Sequence, residues 1–404
     1  MNLTITIKTR LYIDQSDIPK LKEVCEQYRL ACNFVSQWVF DNQFELNSNK
    51  VQKSVYEDCR QLFNLKSQMA ASVPKTVTAR YKTTKTQLSQ KPYKYQDENG
   101  KCQRIGKTLE WLWKPIQFKR SQVDLVRNRD YSFVDNGQTL SVNTLQGRVK
   151  CKFSCKGFEH YLPDYTLGTA KLLESKGKWF EHLAATKEVA DYNKQSITNV
   201  VGIDRGLRHI MTTYDSKGTS AFFSGKKISQ TRKHYRKLRT SLQKRNSKSS
   251  KRRIRLIEKR ENRWMTDMNH QLSKTLINQY GNGTVFVLED LTGVRFVTEQ
   301  VSKKHRYEQV SWSFFQLEQF LTYKASINGS QVVKVAAEYT SQRCPKCGKI
   351  DKEQRKKEIH EYHCSCGYKS NDDRIGAMNI QLLGTQWVTG TDERPRFEKI
   401  TVTG

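Results

Sequence analysis

Thr340-Ser341-Gln342-Arg343-Cys344-Pro345-Lys346-Cys347-Gly348, then Cys364-Ser365-Cys366-Gly367, then Asn371-Asp372-Asp373-Arg374-Ile375-Gly376-Ala377-Met378-Asn379-Ile380, place two cysteine pairs immediately ahead of an acidic segment. Paired thiols at this spacing read as a closed, structural zinc site, with Gly348 relaxing the backbone behind the second thiolate. The second pair is one residue shorter than the usual Cys-x-x-Cys, so His360 or His363 stands as an alternative ligand. A redox dithiol does not need two pairs.

Two further acids end apolar runs upstream. Asp204 closes Val200-Val201-Gly202-Ile203-Asp204-Arg205-Gly206, and Glu289 closes Val285-Phe286-Val287-Leu288-Glu289-Asp290-Leu291. Each alone is weak, because an acid beside a turn is commonplace, and Asp290 and Asp372 rival Glu289 and Asp373. Three acids from different elements that converge can hold two divalent cations about 3.5–4 Å apart, which activates a phosphodiester for hydrolysis. Gly202 and Gly206 are expected to let a phosphate backbone approach closely.

The composition fits such a substrate. Lys and Arg number 71 against 40 Asp and Glu, a formal charge of +31 in 404 residues. That charge repels itself unless a polyanion is bound, and nucleic acid is the expected partner. No apolar run approaches the roughly 20 residues that span a bilayer, and the opening residues do not read as a signal peptide. A soluble, cytoplasmic protein with no membrane partner is expected. Cys25, Cys32 and Cys59 fall in helical apolar patterns and read as reduced core residues, and Cys151 and Cys155 lack a second pair to make a metal site.

Along the chain, Leu3, Ile5 and Ile7 alternate with polar residues as a half-buried strand. Pro19 opens a long helix. Residues 50 to 90 continue helically, with Tyr56, Cys59, Leu62 and Phe63 on one face and Pro74 as a break. From about residue 93 strands take over, with hairpins at Asp135-Asn136-Gly137 and Lys176-Gly177. The first strand is expected to join them, which makes the helices an insertion into a β-barrel. Beyond residue 195, strands alternate with helices and predict a mixed α/β sheet. Residues 226 to 263 hold seventeen Lys or Arg against Glu258 and Glu261, a run that bound phosphates would relieve. Trp264, Met268, Leu272 and Leu276 read as a core stripe, and Trp312, Phe315, Leu317, Phe320 and Leu321 as a further helix. The chain after about residue 385 is weakly patterned.

Together these motifs resemble the TnpB family of transposon-encoded RNA-guided nucleases and the related compact type V CRISPR effectors. The resemblance covers roughly residues 195 to 382, and the N-terminal half matches in outline. It implies an α+β multidomain protein: a wedge β-barrel over 1–17 and 93–192, and a helical recognition lobe over 18–92. A RuvC-like, RNase H-type nuclease domain would follow over 193–342 and 373–385, with a zinc-binding insertion at 343–372 and a tail at 386–404. It makes Asp204, Glu289 and Asp373 the catalytic acids and Mg2+ ligands, choosing them over Asp290 and Asp372. It makes Cys344, Cys347, Cys364 and Cys366 the zinc ligands. It also implies a guide RNA, a target double-stranded DNA, a short motif read by the N-terminal half, and a site of action on the prokaryotic nucleoid. Ile375 stands where many relatives have Asn, and the second cysteine pair is shortened. The alternatives are a nuclease-inactive RNA-guided repressor, against which the intact acids speak, and an Asp-Asp-Glu transposase, against which the acid order speaks.

Overall fold

The computed structural model describes residues 2–189, 196–206, 208–291, 314–356, 358–390 and 395–398. The chain divides into two units at residues 188 and 189. Among the described residues no helix is long and apolar enough to cross a membrane.

The first unit begins with strand β1 (Asn2–Tyr12) and then three helices, α1 (Ile18–Asp41), α2 (Ser48–Gln61) and α3 (Ser67–Ser89). In α1, Leu21, Val24, Cys25, Tyr28, Cys32, Val35 and Val39 share the buried face, with Pro19 in the first turn. Asn47 caps α2, its side chain accepting from the amides of Asn49 and Lys50. The α2 stripe is Val51, Val55 and Cys59. Leu62 lies outside it at 64% exposure, because the helix has ended one residue earlier. Pro74 does not break the helical run either: it sits buried inside α3, and the break falls at residues 62–66. The ring removes one backbone hydrogen bond, a loss offset by burial in the core.

After the exposed hairpin of β2 (Tyr93–Gln96) and β3 (Cys102–Ile105) come β4 (Gln122–Leu125), β5 (Tyr131–Val134), β6 (Thr139–Thr144), β7 (Gly147–Ser154), β8 (Thr166–Ser175) and β9 (Lys178–Glu188). Seven strands form one antiparallel sheet in the order β4-β8-β9-β1-β7-β6-β5. β1 therefore joins the later strands, between β9 and β7. The edge strands β4 and β5 are successive in sequence. Residues 126–130 join them in a tight turn, where Asp130 accepts the Val126 amide at 2.9 Å, so the sheet curls until these ends meet. Both hairpins use residues at positive φ: Asp135, Asn136 and Gly137 in one, Lys176 and Gly177 in the other. Such turns match the right-handed twist of their strands. Helices and sheet share one core running from Ile7 through Cys25, Cys32 and Cys59 to Ala185.

One residue breaks the alternation of that core. Along β9 the buried positions are Trp179, Glu181, Leu183 and Ala185. Glu181 is 0% exposed, and neither carboxylate oxygen has a hydrogen-bond partner among the described residues. Burial pushes its carboxyl up to about 8. An acid whose pKa is raised on folding stabilises fully below its unfolded value near 4.5. That stability drains away as pH rises through about 8. Glu181→Gln is expected to raise unfolding free energy at neutral pH by roughly 3 kcal/mol and to flatten its decline between these limits. Urea unfolding of both proteins across that range checks it, and equal pH slopes would contradict it.

The second unit is built on β10 (Asn199–Asp204), β11 (His209–Tyr214), β12 (Ser220–Ser224), β13 (Thr284–Glu289) and β14 (Gln331–Val335), in the order β12-β11-β10-β13-β14. The first three strands are antiparallel, whereas β13 and β14 run parallel to β10. One face packs on α5 (Lys248–Tyr280) and α6 (Phe314–Ile327) through Val201, Ile203, Phe286 and Leu288 with Leu276, Leu317 and Leu321. Trp264, Met268 and Leu272 border this core. Trp312 lies outside the described residues. The other face packs on α7 (Asp372–Thr389) through Val200, Val285, Val287 and Val335 with Ile380 and Leu383. This helix continues past residue 385, so the last turn belongs to the packed fold. The basic run splits into α4 (Lys226–Arg245) and α5, parted at Asn246, which takes a left-handed conformation, and by Ser247, whose hydroxyl caps α5.

Candidate active site and thiolate cluster

Strand register places the first two acids side by side. Ile203 pairs with Leu288 in the parallel β10–β13 ladder, so Asp204 and Glu289 are the next matched positions at the carboxyl ends of neighbouring strands. Parallel neighbours lie about 4.8 Å apart and point matched side chains to one face. That face is the one α7 covers. Helix α7 lies so close that a Cβ on Gly202 would stand 2.2 Å from the Ala377 carbonyl oxygen. Gly202 is thus covered by α7, and the expectation that it leaves room for a phosphate backbone is corrected. Across the same contact, a Cβ on Gly376 would meet the Asp204 carboxyl carbon at 2.9 Å. The glycines therefore set the distance between Asp204 and the first turn of α7, which carries Asp373. Gly202→Ala is expected to push α7 off the sheet, costing about 1–3 kcal/mol or more by overpacking. Thermal melting checks this, and an unchanged midpoint would contradict it.

Asn371 caps α7 by accepting from the amides of Asp373 and Arg374 at 3.0 and 3.3 Å, which fixes both first-turn acids. The two then diverge. Asp372, 1% exposed, is taken by Arg355 Nε at 3.0 Å and faces His360 Nδ1 at 3.3 Å. Asp373 faces His209 Nδ1 at 2.7 Å. Glu289 accepts a short hydrogen bond from the Thr340 hydroxyl. Asn379 in turn holds that loop, donating to the carbonyls of Thr340 and Arg343 at 2.8 and 2.7 Å. Arg205 donates to the Glu289 carbonyl at 2.5 Å and pairs with Glu318 at 3.2 Å.

These acids feel one another. Burial pushes the Asp204 carboxyl well above the usual carboxylate range, and the charges of Glu289 and Asp373 push the same way. Burial also raises Glu289, opposed by the Thr340 hydroxyl and by the positive charges of Arg205 and Arg355. Negative charge crowded in a desolvated pocket is what a divalent cation neutralises, so the donor set fits Mg2+. Among the described residues, ligand-atom distance groups His360, Asp372 and Asp373, each within 4.8 Å of the others, and does not group Asp204 and Glu289 with Asp373 in this way. There Asp372 is already engaged by Arg355.

The cysteines converge. Cys344, Cys347, Cys364 and Cys366 bring their sulfurs within 4.8 Å of one another, with Cys344–Cys366 at 3.7 Å and Cys347–Cys364 at 3.5 Å. A tetrahedral zinc with bonds of 2.3 Å sets sulfurs about 3.8 Å apart, so the quartet fits that ion. Neither histidine joins it, since His360 faces Asp372 and His363 faces Glu361 at 2.9 Å. Both turns close on glycines at positive φ, Gly348 and Gly367. The insert continues as a ribbon of β15 (Arg355–Lys356), β16 (Glu361–His363) and β17 (Lys369–Asn371). Ile375 of α7 is buried among Cys344, Cys364 and Tyr362, so an apolar residue there docks the ribbon on the helix. Arg355, His209, Arg205 and Thr340 were not singled out from sequence. Arg205 and Thr340 lie inside motifs already quoted, but nothing marks Arg355 among so many charges.

The family model described as Cas12f1-like, TNB domain, matches residues 314–380. The model described as Probable transposase (OrfB_IS605) matches residues 184–292. Over these two regions the chain is similar to Cas12f1 and TnpB-like proteins. Among its relatives, the CRISPR-associated endodeoxyribonuclease Cas12f1 of Sulfoacidibacillus thermotolerans is 27% identical over 54% of this chain and 54% of its own. A TnpB-like protein of Methanocaldococcus jannaschii is 32% identical over 43% of this chain and 60% of its own. The chain thus spans about half the length of the Cas12f1 relative, and somewhat more of the TnpB-like one. A Cas12f1–sgRNA–target DNA complex shares the fold, with TM-score 0.60 and 11% identity over 94% of this chain and 98% of that one. Asp204 and Glu289 fall in one matched region, and the thiolate cluster and Asp373 in the other. The basic helices lie in the first region, where Glu261 is buried against Arg232 and Arg239 at 3.8 and 3.0 Å.

Proposed function

We propose that this chain is an RNA-guided DNA endonuclease whose RuvC-like site hydrolyses phosphodiesters of DNA paired to a bound guide RNA. The observation that carries the reading is the placement of Asp204 and Glu289 at adjacent strand ends with helix α7, which carries Asp373 in its first turn, seated against them, and the thiolate ribbon inserted just ahead of that helix. The fold shared with a solved Cas12f1–sgRNA–target DNA complex supports the fold half of the proposal. The endodeoxyribonuclease name of the Cas12f1 relative supports the activity.

In this reading Asp204, Glu289 and Asp373 hold a Mg2+ pair, and Cys344, Cys347, Cys364 and Cys366 hold a structural zinc. A bound Mg2+ pair supplies Lewis-acid activation of water and of the leaving oxygen. The protein aims the carboxylates: Thr340 fixes Glu289, the Asn371 cap fixes Asp373, and the α7 contact fixes Asp204. Arg355 sets a positive charge beside them, where a scissile phosphate needs one. The basic α4–α5 hairpin binds nucleic-acid backbone through phosphate contacts, base pairing supplies sequence specificity, and the first unit reads a short motif beside the target. The test is to sequence the RNA that copurifies, match a DNA duplex to it, and assay cutting with Mg2+ and with EDTA. Cutting only of the matched duplex and only with Mg2+ is expected. Tight matched binding without cutting would overturn the nuclease reading in favour of a guided repressor.

A further inference from the structure

We propose that the β2–β3 hairpin and the segment behind it form a stacking platform for unpaired bases of bound RNA. The proposal rests on the reading of the chain as RNA-bound. Among the described residues β2 and β3 pair only with each other, Tyr93 opposite Ile105 and Tyr95 opposite Gln103. The two-residue strand period puts Tyr93, Tyr95 and Ile105 on one face and Lys94 and Arg104 on the other. Five of the thirteen exposed large apolar side chains of the described residues fall between 93 and 113. They are Tyr93, Tyr95, Ile105, Trp111 and Trp113, the last 82% exposed. This is a patch rather than scatter, and a patch of that kind marks an interaction site.

The rings are arranged, not merely exposed. Tyr93 and Tyr95 lie near-parallel at 17°, centroids 6.3 Å apart, and Trp111 follows 5.7 Å from Tyr93. Lys107 Nζ stands 5.5 Å over the Trp111 ring and Lys114 Nζ 4.2 Å over Trp113. The base beneath them is fixed. Leu109 is buried, and Leu112, Ile116 and Phe118 pack on the core. Ser36 donates to the Ile116 carbonyl at 2.7 Å, and Asn33 accepts the Phe118 amide at 2.7 Å.

Charge chooses the occupant. Residues 91–120 carry eight Lys or Arg against Asp97, Glu98 and Glu110. Asp97 is spent within its own turn on the amides of Asn99 and Lys101. Aromatic faces interleaved with cations, on a rigid mount, are the elements of a single-strand stacking site. Such a patch left open invites aggregation, which favours an occupant that stays bound through the protein's life. In a guided nuclease that is the RNA, not the transient DNA.

The experiment compares the full chain with the triple variant Tyr93→Leu, Tyr95→Leu, Trp111→Leu, which keeps apolar bulk and removes the rings. The probe is a labelled uridine oligomer, with a matching thymidine oligomer, an RNA duplex and anionic vesicles alongside. Stacking contributes about 1–3 kcal/mol per base, so uridine affinity should fall about tenfold or more. Its log–log salt slope should hold, because no phosphate contact is removed. Duplex binding should not change. Short-wave ultraviolet irradiation of the purified RNA-bound complex should place adducts on these rings. Unchanged uridine affinity together with no adducts at the hairpin would overturn the proposal. So would a loss confined to the thymidine oligomer or to vesicles, which would assign the patch to DNA or to a lipid surface. Guided cleavage is read separately, so a failed platform leaves the nuclease reading standing, and absent copurifying RNA overturns that reading by itself.

Discussion

Asp204→Ala, Glu289→Ala and Asp373→Ala are each expected to reduce guided DNA cleavage by roughly a thousandfold or more. A metal pair supplies several kcal/mol of transition-state stabilisation, and each 1.4 kcal/mol is about tenfold in rate. The acids share one desolvated pocket, in which Asp204 is raised by burial and by both of its partners, so losing any one misplaces the ions for the other two. RNA and DNA binding should persist, since affinity comes from many basic contacts spread over a chain of charge +31. Asp372→Asn is the informative neighbour. It weakens the buried pair with Arg355 and should lower stability, yet leave the three proposed metal ligands in place. Gel assays on matched DNA with refolding-checked variants decide it. Cutting that survives Asp373→Ala and is lost with Asp290→Ala or Asp372→Asn, at unchanged stability, would mean that the neighbouring acids hold the metals.

The second large effect concerns the thiolate cluster. Cys344→Ser with Cys347→Ser is expected to release zinc and unfold the ribbon, because metal affinity in so small a unit is folding free energy, about 10–16 kcal/mol in isolated finger peptides. The apolar core of the ribbon is small: Cys344, Tyr362, Cys364 and Ile375, with Tyr368 at the edge. The damage should travel. Ile375 ties that core to α7, and Arg355 of the ribbon pairs with Asp372, so the proposed cleavage should fall although none of the three proposed catalytic acids is touched. Elemental analysis, melting and cleavage on the same preparation test this. Active, fully folded wild-type protein without zinc would contradict it.

How much of this could be read from the chain depends on whether a residue's role is local. Strand ends at Asp204 and Glu289 were legible because apolar runs stop there, and both hairpins because Asp135-Asn136-Gly137 and Lys176-Gly177 force positive φ. The cysteine spacing identified the quartet, whereas the choice between Cys366 and a histidine needed coordinates, since His360 and His363 are turned to carboxylates by their neighbours. Gly202 was misread. Its glycine is required by the approach of α7, a contact between residues more than 170 positions apart. Pro74 was misread as a break because local propensity speaks against an interior proline, and the packing of α3 overrides it. Arg355 and His209 reach the site only through the fold, and Glu181 hides as one charged letter in an apolar alternation.

The most direct measurement is anomalous diffraction from the RNA-bound protein on matched DNA with Mn2+ in place of Mg2+. Two manganese peaks about 3.5–4 Å apart, ligated by Asp204, Glu289 and Asp373, are the expected result. A lone peak on His360, Asp372 and Asp373, or no metal beside Asp204 in crystals of a complex that cuts DNA in solution, would contradict it.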